Sequence, residues 1–273
     1  MKTPARLLVL LLAPFSGDAQ AARFPVAFAG TRLAVYAPHF TDALSCAANA
    51  AALAGLDTFS FGVCTERRFL LADLSVSSAA AVVPSRFGTF GVGASFSGTI
   101  AYRETSLDIS YGRHFGQVLS GGVRFGYGGT SAGSYGRAAR VLAEAGILVR
   151  LSPRATAGVR ISNPGGGWRK GGGGRLAGIY TCGVGYELSE RSFLAAEILK
   201  QEDEPVTVNA GFHYGFARLL AARIGFISAA SQFYLGVGVD LNRLRLDVVA
   251  TLHPYLGMTP GFGLLYVAKR ARP

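Results

Sequence analysis

Past its first 16 residues the chain has no run of 18 or more apolar residues free of glycine or charge, which excludes a polytopic helical membrane protein. Three cysteines in 273 residues exclude a disulfide scaffold. Charge is scarce, at 16% of residues. The four histidines, at 39, 114, 213 and 253, share no metal-ligand spacing, so no metal or other cofactor is expected. No phosphate-binding loop is present either, because Lys170 is followed by Gly171 rather than by Ser or Thr. What abounds is apolar: 50% of residues are hydrophobic and 37 are glycine. Half the chain would seek burial, which excludes disorder, and the glycines show no period of three, which excludes collagen. A glycine-rich, aromatic chain with few charges and no spanning helix suggests a membrane β-barrel.

The N-terminus predicts export. Lys2 and Arg6 precede a short apolar stretch, Leu7 to Phe15, and Ala19-Gln20-Ala21 has the form of a cleavage site. Residues 1–21 are therefore expected to be a signal peptide. The net charge of +11 comes mostly from arginine. In an exported protein that charge points to anionic lipid headgroups, lipopolysaccharide included, or to acidic envelope partners, and not to nucleic acid.

Period-two alternation carries the fold. From Gln232 to Asn242 the odd positions read Phe233, Leu235, Val237, Val239 and Leu241, and the even ones are polar or small. That is a strand with one oily face. The stretches from Arg175 to Leu188 and from Val206 to Phe216 repeat it. About 14 such strands fit at the roughly 10-residue length of a tilted spanning strand, with centres near Phe61, Leu74, Val92, Ile109, Val123, Ile147, Val159, Tyr180, Ala196, Ala210, Ile224, Val237, Val248 and Leu264. Connections alternate between short (around Ser85, Gly116, Pro153, Glu190, Arg218 and Asn242) and long (98–103, 128–140, 163–174, 201–205 and 253–260), as in an up-and-down outer-membrane barrel. A soluble β-sandwich or lipocalin-like barrel would alternate but would not sort its loops. The fold class is thus all-β, a transmembrane up-and-down β-barrel of antiparallel strands over 58–270. With an even strand count both termini are expected in the periplasm.

Residues 22–57 differ. Thr41 to Leu53 is alanine-rich, with Thr41 or Asp42 placed to cap it and Gly55 just beyond, and reads as a short helix. It is expected to plug the barrel or close its periplasmic mouth. Inward positions on the strands carry both signs of charge: Glu66, Asp73, Asp108, Arg124, Glu144, Arg150, Arg160, Glu187, Glu197, Arg223, Asp240, Arg245 and Asp247. Lone charges are costly in a confined lumen, so these should pair and help hold the plug. Inward glycines such as Gly91, Gly122, Gly183 and Gly185 leave room for the plug or for a narrow ligand path. Arg137, Arg140, Arg169 and Lys170 are expected on outer basic loops facing lipopolysaccharide phosphates.

Gly129 to Gly133 matches G-x-S-x-G through Ser131, but no helix follows to make a nucleophile elbow, so no enzyme is expected. A Cys46–Cys64 bridge pinning the plug to the first strand is left open.

The segment DALSCAANAAALAGL at 42–56 resembles the N-terminal segment of the FadL superfamily, in particular of PorV/PorQ-like outer-membrane proteins of the Bacteroidota. Glu66 to Phe69, Leu107 to Arg113, Ile161 to Pro164, Ala196 to Lys200 and the ending from Gly236 to Tyr266 resemble further pieces of that group. The resemblance implies a barrel of 14 strands with an N-terminal plug in which Asp42, Asn49 and Leu53 take part. The chain departs from it in having Ala50 where the superfamily often has proline, in lacking most of the long loops of FadL transporters, and in ending without a terminal aromatic. It therefore implies first an accessory subunit of an envelope machine for secretion or outer-membrane protein assembly, in complex with other envelope proteins. The alternative is a FadL-like channel for small hydrophobic molecules, with an apolar pocket beside the plug and a gap in the wall.

Overall fold

A strand whose side chains alternate oily and small can bury only one face, and a row of such strands has two unpaired edges unless it closes. Here it closes. The computed structural model describes residues 25–268 apart from 134–135, 165–167, 171–175 and 218, and the side chains of 168–170 and 230 are likewise outside the description. The signal-peptide expectation and the turn at Arg218 therefore fall outside the described residues. The strands are β1 (Ser60–Arg67), β2 (Ser75–Ser85), β3 (Gly88–Gly98), β4 (Tyr102–Phe115), β5 (Leu119–Ala132), β6 (Arg137–Arg150), β7 (Ala155–Ser162), β8 (Trp168–Lys170), β9 (Ile179–Ser189), β10 (Ser192–Gln201), β11 (Thr207–Gly215), β12 (Leu220–Ile227), β13 (Gln232–Leu241), β14 (Leu244–His253) and β15 (Gly257–Val267). Fourteen of them, all but β8, form a closed antiparallel barrel. Each pairs with its sequence neighbour, and β1 closes the ring on β15, Ser60 opposite Val267 and Glu66 opposite Gly261. The three-residue β8 pairs only with the outer part of β6.

The alternation lands on the expected faces. In β9 buried and exposed residues alternate from Ile179 to Glu187, with Tyr180, Cys182, Val184 and Tyr186 outward. Phe233, Leu235 and Val237 are exposed, while Tyr234, Gly236 and Gly238 are buried. Among the described residues one end of the barrel carries tight turns, such as 86–87, 190–191 and 242–243. Asn242 sits there at a φ of 61°, a conformation asparagine tolerates better than most residues. The other end is the loop end, but its loops are shorter than expected. β4, β5 and β6 extend so far that only residues 99–101 separate β3 from β4 and only 133–136 separate β5 from β6. Only 68–74 and 163–178 remain long.

Two elements differ from expectation. The second strand begins at Ser75, and Leu74 lies in a 3-10 turn before it. The helix expected over 41–53 is instead two 3-10 turns, Ser45–Ala47 and Ala50–Gly55. Asn49 interrupts it: it is extended at φ −155° and caps the second turn, its Oδ1 accepting from the Ala51 N–H. Asp42 Oδ1 accepts from the Ser45 N–H at 2.7 Å, but the turn Ser45–Ala47 has Leu44 at its N-cap position and no side-chain cap, so neither Thr41 nor Asp42 caps a helix.

The inner segment, 25–56, lies in the lumen and supplies the hydrophobic core. Phe28, Leu33, Val35, Tyr36, Leu44 and Leu53 are among its fully buried side chains. It begins with 3-10 turns on either side of a single α-turn, α1 (Ala29–Arg32). The wall meets it with glycine. Ala50 and Leu53 press on Gly112 and Gly122, Tyr36 on Gly183 and Gly185, and Phe28 on Gly261 and Gly263. Those glycines admit the segment's backbone and rings where any Cβ would collide.

Candidate functional site

Charges taken from water must find partners, and in the lumen most do. Asp247, fully buried on β14, accepts from Arg223 at 2.7 Å and from Arg245 at 2.9 Å. Arg245 also grips Asp42 of the inner segment. On the opposite wall Arg124 lies 3.3 Å from both Asp108 and Glu144, and Arg160 lies 3.2 Å from Glu144. Arg124 also donates to the carbonyls of Cys46 and Ala47, at 2.6 and 2.8 Å. Glu66 accepts from Arg68 and from the Ala27 N–H. Glu187 holds His39, and Glu197 accepts from Tyr36 and Asn209. Burial first, and then the Glu197 carboxylate, push the Tyr36 phenol up, so it donates as a neutral hydroxyl. Wall and inner segment are thus joined by charge at several heights. Asn49 adds a bond to the Val159 carbonyl, and Leu53 packs near Gly91 and Gly112.

Some expected members lie elsewhere. Asp73 is exposed in the turn before β2. Arg150 is exposed where β6 ends, and Asp240 is exposed at the short-turn end, opposite Arg245 in register but with no ion pair among the described residues. Arg140 is not a loop residue. It is buried on β6 and faces Glu104 at 3.8 Å, because β6 starts three residues earlier. Arg137 is an exposed, outward strand residue; Arg169 and Lys170 lie on β8, their side chains outside the description. Ser131 lies within β5, paired with Arg103 of β4 and Arg137 of β6, and not at a strand-to-helix elbow. Cys46, Cys64 and Cys182 are free thiols.

Sequence reasoning missed Arg32, Arg68 and Glu104. Arg32 and Arg68 are not on strands, so period two could not point to them. Arg32 is the odd one: among the described residues it has no ion pair or side-chain hydrogen bond, and its Nε is buried without a partner. Burial lowers its pKa from the usual guanidinium value, against the attraction of Glu197.

Arg32 borders a cavity of about 330 Å³ between the inner segment and the wall from β2 to β7. Ala43, Leu53, Ala80 and Val82 give it an apolar side, and Ser78, Ser95, Ser106 and Asp108 a polar one. That volume suits a small ligand. The lining also includes the outward Ala79, Ala81, Val92 and Ala94, so the wall is thin there. It is not open: β2 and β3 pair without a break from Val76–Ser97 to Ser85–Gly88, which corrects the expected gap. A second cavity of about 390 Å³ lies toward the short turns, lined by Phe40, Asp42 and His213. The inner segment separates the two, Ala43 lining the first and Asp42 the second.

The barrel is similar to the CymD monoaromatic hydrocarbon channel, with a TM-score of 0.64 and 12% identity over 83% of this chain and 93% of that one. It has the fold of an outer-membrane channel. The Pseudomonas putida toluene transporter TodX gives a TM-score of 0.55 and 11% identity over 80% of this chain and 90% of that one. A FadL homologue of Pseudomonas aeruginosa gives 0.56 and 12% over 84% and 94%. At such identities the likeness is one of fold. No family model and no curated protein matches the chain.

Proposed function

We propose that this protein is a non-enzymatic outer-membrane channel for small, mainly apolar molecules, with its short turns and both ends of the barrel wall on the periplasmic side. The carrying observation is the cavity of about 330 Å³ beside the inner segment, apolar on one side and bordered by Arg32, whose Nε is buried without a partner among the described residues. A lumen sealed throughout by ion pairs would have left no such space. The fold shared with CymD and TodX, described as a monoaromatic hydrocarbon channel and a toluene transporter, supports the same reading. This reading is preferred to the accessory subunit that the PorV/PorQ resemblance implies, since that role calls for no cavity. A molecule would enter at the loop end, rest against Ala80, Val82 and Leu53, and leave when the inner segment yields. Arg32 would favour molecules that carry a hydrogen-bond acceptor beside their apolar body.

Uptake of radiolabelled toluene and of benzyl alcohol into cells that express the protein tests this. Ser95→Phe fills the cavity and should lower both rates about tenfold. Arg32→Leu should slow benzyl alcohol selectively. Equal uptake with and without the protein, or no effect of Ser95→Phe in a folded barrel, would discard the channel.

A further inference from the structure

The positive charge of the chain is not confined to the lumen. At the short-turn end, an arginine accompanies nearly every hairpin, and a large exposed apolar side chain stands beside it. Arg86 neighbours Phe87, Arg113 neighbours Phe115, and Arg154 shares its turn with Leu151. Arg191 follows Leu188, and Arg243 lies between Leu241 and Leu244. All five arginines are exposed. Among the described residues none has an ion pair, and only Arg86 has a ring contact, its guanidinium 4.6 Å over Phe87. The carboxylates at this end are Asp57, Glu187, Glu190 and Asp240, of which Glu187 is held by His39. Arginine outnumbers the rest.

The layer just inside this ring is aromatic. Tyr111, Tyr186, Tyr214 and Tyr266 face outward near the short-turn ends of β4, β9, β11 and β15. Tyrosine at that level marks the boundary between acyl chains and headgroups. The arginines lie a step beyond the tyrosines, in or beside the turns themselves, where a long side chain can reach a headgroup anion while its stem stays in the apolar layer.

We infer that the short-turn rim is a binding surface for the phosphodiester headgroups of anionic phospholipid in the surrounding leaflet. The distribution around the barrel selects that occupant. A protein partner would touch one sector, whereas a leaflet surrounds the barrel and meets every turn. The alternation of arginine with Phe or Leu fits a lipid, which presents a phosphate above an acyl chain, better than it fits an acidic peptide. The loop end lacks this regularity: 202–206 carries Glu202, Asp203 and Glu204, and 254–256 carries no arginine.

Native mass spectrometry of the full chain, released from micelles with equal phosphatidylglycerol and phosphatidylethanolamine, reads the preference directly. The wild type should retain phosphatidylglycerol selectively. Arg86→Ser, Arg154→Ser and Arg243→Ser should each weaken that retention about fivefold, and together by tenfold or more. The corresponding lysine triple should keep most of it. Arg103→Ser with Arg137→Ser, at the loop end, should leave it unchanged. Folding of each variant is checked by the heat-dependent gel shift of a closed barrel. If the triple does not fold, the single variants carry the test. The inference fails if the wild type shows no preference or if folded serine variants keep it. It fails equally if the same variants lose lipid A instead, or lose a glutamate-rich peptide while keeping phosphatidylglycerol.

Discussion

Asp247→Ala is expected to destabilise the barrel by about 3–5 kcal/mol, the scale for removing one partner of a buried ion pair. Asp247 has no exposed surface and accepts from two guanidinium groups, Arg223 and Arg245. Its loss leaves both cations in the lumen with only Asp42 and the more distant Asp240 to oppose them. Arg245 is also the link to Asp42, so the anchorage of the inner segment weakens with the wall. Asp247→Asn keeps the shape and an acceptor oxygen but not the charge, and should cost less. The measurement is the urea midpoint of the folded band on unheated gels. A shift for Asp247→Ala no larger than that for an exposed control such as Asp203→Ala would mean that the charges are hydrated and the network holds nothing together.

Gly122→Val should convert a silent barrel into a conducting one. A Cβ at Gly122 would strike the backbone of Ala50 and Ala51, which cannot move aside as a flexible side chain can. The two solutions are to distort β5, which is paired along its whole length with β4 and β6, or to push the 3-10 turn Ala50–Gly55 out of its seat. The turn has far fewer hydrogen bonds to the wall, so it should give way, and over-packing of this kind typically costs about 1–3 kcal/mol. Single-channel recording in planar bilayers should show conductance at least tenfold above that of the wild type. Gly126→Ala is the matched control: its Cβ would meet only side-chain atoms of Asp108 and Leu142 at 3.5 Å. A non-conducting Gly122→Val barrel that still folds would show that the inner segment is not what closes the lumen.

The wall was legible because period two is a local property. Each strand declares its faces through residues such as Phe233, Leu235 and Val237, and thirteen of the expected centres fall inside observed strands. Strand ends were harder. Where polar and small residues continue outward, as from Gly128 to Ala132, alternation cannot tell a loop from a strand, and Arg140 was assigned to the wrong compartment. The second strand was expected to centre near Leu74, yet Phe69 and Leu70 adopt positive φ and the chain runs in turns from Arg68 to Leu74 before the strand begins at Ser75. Asp73 went astray with them. The lumen site was only partly legible. The charged residues on strands could be found by parity, but Arg32 and Tyr36 lie on irregular turns whose direction depends on which glycines receive them.

The joint between the first and last strands sits directly over Phe28 and Leu44. Phe28 rests on Gly263 of β15, and Leu44 presses on Gly62 of β1. The two strands farthest apart in the chain therefore share one set of contacts with its N-terminal part, whose apolar side chains lie inside the ring. Such distant pairings form slowly unless something holds their ends near one another. Residues 25–56 thus touch both sides of the seam, as a mandrel touches every stave, and contacts of that kind shorten the search that such a closure requires.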